Sequence, residues 1–209
     1  MNLPIYVVLD CSGGMYGEPM EALKEWLRTL HAGLLFNPVA FESVQMAVIT
    51  FGDFPRLVTP LTDIAAFIPP ELEAAGLSGL GAALDLLHDC LREQHSRTGA
   101  NSMRPIVLLV TDGCATDDWM AAVDRLRSFA GQFQMIALPC GSHADLDALR
   151  LITPHIHSVR EVTGHFFEPY LSSDAEPIRD EHSRAGVSSD GSALSSLTSP
   201  PSGITLSLD

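Results

Sequence analysis

Two carboxylates each end an apolar run and are followed by glycine. They are Asp10 in Asp10-Cys11-Ser12-Gly13-Gly14 and Asp112 in Thr111-Asp112-Gly113. A third segment, Gly76-Leu77-Ser78-Gly79-Leu80-Gly81, is rich in glycine and carries one hydroxyl. Carboxylate and hydroxyl oxygens are hard ligands. Brought together from three loops, Asp10, Ser12, Ser78 and Asp112 could hold Mg2+ or Mn2+, with water and a partner's carboxylate completing an octahedron. Asp10 and Ser12 are two residues apart, so alternation along an extended chain turns both toward one side. The same carboxylates have a metal-free use, which is to accept backbone N–H bonds at helix N-termini.

Other chemistry finds less support. No Gly-rich loop ends in lysine, and neither a general base nor a basic phosphate clamp accompanies the two carboxylates. A metal-dependent phosphohydrolase would therefore lack most of its parts, and the chain reads as a non-enzyme. Cys11, Cys90, Cys114 and Cys140 are scattered without a CxxC pair, which fits neither a disulfide framework nor a zinc site. Cys11 and Cys114 do lie in the two Asp-bearing loops. One reading there is a regulatory disulfide; the other is that alternation turns Cys11 into the core as a small apolar side chain. His155-Ile156-His157 would put two imidazoles on one face of a strand, a poor metal site without a third ligand and better suited to a solvated face. Asp53, Asp63, Asp117 and Asp118 suit turns and caps, the last two at the start of the helix that follows them.

The carboxylates need elements to place them. Pro4-Ile5-Tyr6-Val7-Val8-Leu9 and Pro105-Ile106-Val107-Leu108-Leu109-Val110 are continuous aliphatic runs, the pattern of strands buried on both faces of a parallel sheet. In such open sheets ligands bind at the carboxyl ends of the strands, where Asp10 and Asp112 would sit. Residues 18–35 repeat apolar positions at helical spacing, and Asn37-Pro38 stops that helix. Residues 43–51 and 55–61 read as strands joined through a two-residue Gly52-Asp53 link as an antiparallel hairpin. Helical patterns follow over 80–91, 119–129 and 144–151, with strands over 132–138 and 155–162 and a final helical turn over 166–171. The order βα-ββ-αβ-αβ-αβ-α predicts a Rossmann-like, doubly wound α/β fold. Its central sheet would be mostly parallel, with one antiparallel edge strand and helices on both faces.

Composition bounds the partners. With 209 residues, one domain plus an appendage is expected. A hydrophobic share of 46% with 18% charged residues is that of a globular core. A formal net charge of −14 argues against a nucleic-acid backbone as partner. No run approaches the ~18 apolar residues that span a bilayer, and the first residues lack the basic start of a signal peptide. No membrane association and a cytoplasmic location are therefore expected. Residues 186–209 hold eight serines and few large apolar side chains, a tail composition.

The ordered set of motifs resembles the von Willebrand factor A (VWA) family. Its metal-ion-dependent adhesion site (MIDAS) takes the form Asp-x-Ser-x-Ser, a Thr on a second loop, and an Asp after a later strand. Asp10 matches the first Asp, Ser12 the first Ser and Asp112 the last Asp. Ser78 stands at the Thr position and keeps the hydroxyl. Gly14 stands where the second Ser would be and removes one direct ligand, which lowers the expected metal affinity. The resemblance runs over residues 3–172 and implies a VWA-like domain over 1–175 with a Ser-rich tail over 176–209. Within the family, Leu3-Pro4-Ile5-Tyr6-Val7-Val8-Leu9-Asp10, Gly17-Glu18-Pro19-Met20-Glu21-Ala22 and Leu109-Val110-Thr111-Asp112-Gly113-Cys114-Ala115-Thr116-Asp117-Asp118-Trp119 are similar to the stand-alone bacterial proteins of tellurite-resistance clusters, the TerY-like group. That resemblance implies a metal-assisted module of a stress-response system. It would bind an Asp or Glu of a protein partner, with a protein kinase and a PP2C-type phosphatase among the candidates. A metal-independent scaffold, in which the site is a relic, is the alternative that Gly14 favours.

Overall fold

The computed structural model describes residues 2–98, 103–142 and 144–171. The Ser-rich segment 176–209 and the boundary before it lie outside the described residues.

The chain forms a five-stranded sheet in the order β3-β2-β1-β4-β5. The first run of aliphatic residues is β1 (Leu3–Asp10), buried along its whole length. It pairs in parallel with β2 (Val44–Phe51) on one side and β4 (Ile106–Thr111) on the other. Beyond β4 lies β5 (Gln134–Pro139), also parallel. The edge strand β3 (Arg56–Asp63) is antiparallel to β2. Its pattern is largely exposed, as an edge tolerates.

Helices cover both faces, as the α/β reading predicts. Alternation on β1 sends Ile5, Val7 and Leu9 to one core, where Leu23, Leu27 and Leu30 of α1 (Glu18–Phe36) pack against them. Tyr6 and Val8 go to the other, facing Leu84 and Leu87 of α3 (Leu80–Thr98) and Val123 of α4 (Met120–Ser128). Each such fully buried aliphatic side chain is worth roughly 1.5–3 kcal/mol of transfer free energy. The remaining helices are the short α2 (Pro38–Ser43), α5 (Leu146–Ile152) and α6 (Glu168–Leu171). Among the described residues, no helix is long and apolar enough to cross a membrane.

One local expectation is met with an addition, and three need correction. Asn37-Pro38 does end α1, but the Asn37 side chain accepts from the Val39 and Ala40 N–H groups and starts α2 at once, with Pro38 in its first turn. The hairpin link is Gly52-Asp53-Phe54-Pro55, longer than the two residues expected, because Asp53 is drawn away to accept from the Leu77 N–H at 2.7 Å. The N-cap of α4 is Trp119, with no side-chain cap bond, so neither Asp117 nor Asp118 caps that helix. Finally, 155–162 is not a strand. Ile156 makes one parallel bridge to Ala137. The chain then turns, with the Glu161 carboxylate accepting from the Ser158 N–H at 3.0 Å. Trp26 of α1 donates its indole N–H to the Val162 carbonyl at 2.9 Å, so this segment folds onto α1. His157 therefore lies on no strand face; its ring meets Phe166 edge to face at 5.4 Å.

Candidate functional site

Strand order reverses at β1 and β4: β1 is followed in sequence by β2 on one side, while β4 and β5 extend the sheet the other way. A crevice outside the carboxyl ends of these two strands is where doubly wound sheets bind ligands. Asp10 is the last residue of β1 and is fully buried. Its Oδ1 accepts from the Ser12 N–H at 2.8 Å. Its Oδ2 accepts from the Thr111 hydroxyl at 2.6 Å and the Ser78 hydroxyl at 3.3 Å. Burial pushes the Asp10 carboxyl above its ordinary range; hydrogen bonds from Thr111 and Ser12 pull it back, and the neighbouring Asp112 adds to the rise.

Ser78 is brought to Asp10 by its neighbours. The Thr116 hydroxyl accepts from the Ser78 N–H at 3.1 Å and donates to the Ser78 carbonyl at 3.0 Å. Asp117 accepts from the Gly81 and Ala82 N–H groups at 3.0 and 3.1 Å, satisfying the first turn of α3 just past Ser78. The Gly13 N–H donates to the Gly76 carbonyl at 2.9 Å, joining the first loop to the second.

Asp112 lies half-buried just past the end of β4, its Oδ1 accepting from the Cys114 N–H at 2.8 Å. A Cβ built on Gly14 would stand 2.7 Å from its Oδ2 and 3.8 Å from the Ser12 Oγ. Asp10, Ser12, Ser78 and Asp112 thus gather at one edge of the sheet. Asp10 and Ser78 are in hydrogen-bond contact, and Asp112 and Ser12 flank the space left by the missing side chain at position 14.

Thr111 is the member that motif reading passes over. The register pairs Leu9 with Val110, so one further step sets Asp10 beside Thr111 rather than Asp112. Aligning the two strand ends supplies that signal. Thr116 and Asp117 had no signal of this kind, since the groups they hold are 38 and 36 residues away.

The donor set consists of two carboxylates and three hydroxyls. It is all oxygen, which suits a hard divalent ion of the Mg2+ type that keeps several waters. Gly14 contributes nothing to it. Among the described residues no group of three His, Cys, Asp or Glu could hold a metal. Any ion here therefore relies on hydroxyls. The four cysteines are free. Cys11 is buried in the core beside α1, and burial there pushes its thiol up to about 12, while Cys114 is exposed. The disulfide reading thus gives way to the buried one.

A family model for the von Willebrand factor type A domain matches residues 5–170. No curated protein matches the chain. Solved structures share its fold at low identity. The manganese-loaded TRAP protein of Plasmodium vivax superposes with a TM-score of 0.60 at 16% identity, over 82% of this chain and 74% of that one. Proximal thread matrix protein 1 from the mussel byssus, with a zinc-occupied MIDAS motif, gives 0.55 at 17% identity, over 78% and 46%. The SpRpn10 VWA domain gives 0.50 at 15% identity, over 76% and 88%. This chain spans about half the length of the mussel protein it matches.

Proposed function

The chain belongs to the von Willebrand factor type A domain family, and from that membership we propose that it is a protein-interaction module whose Asp10, Ser12, Ser78 and Asp112 hold a divalent ion and recognise an acidic residue of a partner. The observation that carries the reading is the contact of Asp10 with the Ser78 hydroxyl, 68 residues away, at the strand edge that also bears Asp112. When bound, an Mg2+ or Mn2+ ion supplies positive charge and a coordination position for a partner's carboxylate.

The chain's own residues prepare that edge. Thr111 and the Ser12 N–H hold Asp10 in one orientation. Thr116 and Asp53 fix the peptides around Ser78. The Cys114 N–H holds one oxygen of Asp112 and leaves the other toward Gly14. The manganese-loaded and zinc-occupied relatives support the metal reading. The likeness of three sequence stretches to the TerY-like group supports a setting in the cytoplasm of a bacterium. There the module would serve a tellurite-resistance type of stress response, with a protein kinase or PP2C-type phosphatase as partner. The role is binding rather than turnover, and Mg2+-dependent hydrolysis of a generic phosphate ester would overturn it.

One observation favours a second reading. Gly14 offers no hydroxyl where the family's motif has its second serine, and the Asp112 carboxylate lies against that position. In that reading the domain is a metal-independent scaffold. Titration with Mn2+, read by the ion's electron paramagnetic resonance signal, separates the two. Saturable binding by the wild type that is lost in Asp112→Ala supports the metal-assisted module. Partner capture that survives both EDTA and Asp112→Ala selects the scaffold.

A further inference from the structure

Three of the most exposed large apolar side chains stand around the candidate site: Tyr16 at 82%, Phe54 at 76% and Leu77 at 63% relative exposure. Each comes from a different loop at the carboxyl edge of the sheet. Tyr16 follows the 3-10 turn Gly13–Met15 after Asp10. Phe54 lies in the β2–β3 link, and Leu77 directly precedes Ser78. The three loops are stitched by backbone bonds: Gly13 N–H to Gly76 O at 2.9 Å, Ala75 N–H to Cys11 O at 2.8 Å, and Gly79 N–H to Gly52 O at 2.9 Å. The Leu77 N–H is also held by Asp53. The backbone under the rim is therefore fixed, although its side chains point into water. Large apolar side chains left exposed together on a fixed platform mark a protein-binding surface; here they surround a polar centre, the reverse of the more common apolar core with a polar rim.

The charge distribution narrows the partner. The same edge carries Asp10, Asp53, Asp112 and Asp117, on a chain whose formal net charge is −14. A partner rich in acids would be repelled over most of the contact, and a carboxylate would gain only where it met a divalent ion held at the centre. We infer that Tyr16, Phe54 and Leu77 form an apolar rim that accepts a partner segment with a single carboxylate flanked by large apolar side chains. The central carboxylate rests on the metal reading above; the apolar flanks do not.

The test uses fluorescence anisotropy with the full chain and a labelled synthetic peptide bearing one Asp between Leu residues, in Mg2+ and in EDTA. Comparison peptides replace the flanking Leu by Ser, or by Glu. The expected result is binding in Mg2+ that weakens about tenfold with Ser or Glu flanks. Tyr16→Ser and Phe54→Ser should each weaken it about tenfold, as removal of an interface anchor does. Phe36→Ser serves as the control: Phe36 is 88% exposed, at the far end of α1. Equal binding of the Ser-flanked peptide, insensitivity to the rim substitutions, or no binding of the Leu-flanked peptide at millimolar concentration overturns the inference. The two readings can fail separately. Binding that is lost in EDTA but indifferent to the rim sinks the rim and keeps the metal. Binding that persists in EDTA but needs the rim does the reverse.

Discussion

Gly14 and Asp112 share one space: a Cβ on Gly14 would lie 2.7 Å from Asp112 Oδ2. The obstacle is the free end of a carboxylate whose other oxygen is held by the Cys114 N–H, so it can swing aside at small cost. Gly14→Ser would then add a hydroxyl beside Ser12 and Asp112. We expect it to bind Mn2+ about tenfold tighter than the wild type, a gain of about 1.4 kcal/mol. Gly14→Ala displaces Asp112 in the same way without adding a donor and should show no gain. Calorimetric titration of the three proteins decides; a serine no better than the alanine means position 14 offers no coordination.

The two carboxylates differ in what they hold up. Asp10 is fully buried and accepts from Ser12, Thr111 and Ser78. Asp10→Ala strands those donors and should cost about 3 kcal/mol of stability, as loss of a partner from a buried charged network does. Asp112 accepts one backbone N–H and is half-buried, so Asp112→Ala should cost less than about 1 kcal/mol while abolishing metal binding. Urea unfolding in EDTA separates the two. Equal losses of stability would mean that Asp10 is not the structural member of the pair.

Much of the site was legible in the sequence because strand ends announce themselves. The aliphatic runs into Asp10 and Thr111-Asp112 fixed which edge mattered. Thr111's contact with Asp10 depends on the register between β1 and β4, so it emerges only when the two strand ends are aligned and not from either motif alone. The segment over 155–162 shows the complementary limit. Its alternation suits a strand, but Ser158 and Glu161 close a local turn, and the Trp26–Val162 bond rewards leaving the sheet. Asn37-Pro38 carries two messages, a stop for one helix and a start for the next, and helical periodicity reveals only the stop. Exposure of Tyr16, Phe54 and Leu77 had no pattern to reveal it, since each lies in a connection without strand or helix periodicity.

Asp117 lies just before α4 in sequence, yet its carboxylate caps α3, through Gly81 and Ala82. Asp117→Ala should therefore destabilise the protein by about 1 kcal/mol, the typical loss for a helix cap. Asp118→Ala should change little. Amide hydrogen exchange gives the more specific readout: protection should fall in the first turn of α3 and around Ser78, and hold in α4. Loss confined to α4 would return Asp117 to the role its sequence position implied.

Gly33 offers a case where two physical effects point opposite ways. In the middle of an exposed helix, Gly→Ala gains about 1 kcal/mol of helix propensity. In α1, however, a Cβ on Gly33 would stand 2.9 Å from the Gly164 nitrogen and 3.0 Å from its Cα. These are backbone atoms and cannot rotate away. Gly164 begins the 3-10 turn Gly164–Phe167, which sets the fully buried Phe167 into the core shared with Leu23 and Leu30. Making room would lift that turn from α1 and open the packing around Phe167. Overpacking of this kind costs about 1–3 kcal/mol, more than the propensity gain. Gly33→Ala should therefore lower the urea midpoint, with Trp26 fluorescence reporting the loosened contact through its bond to Val162. A raised midpoint would mean that α1 and this turn do not approach closely in solution and that propensity decides.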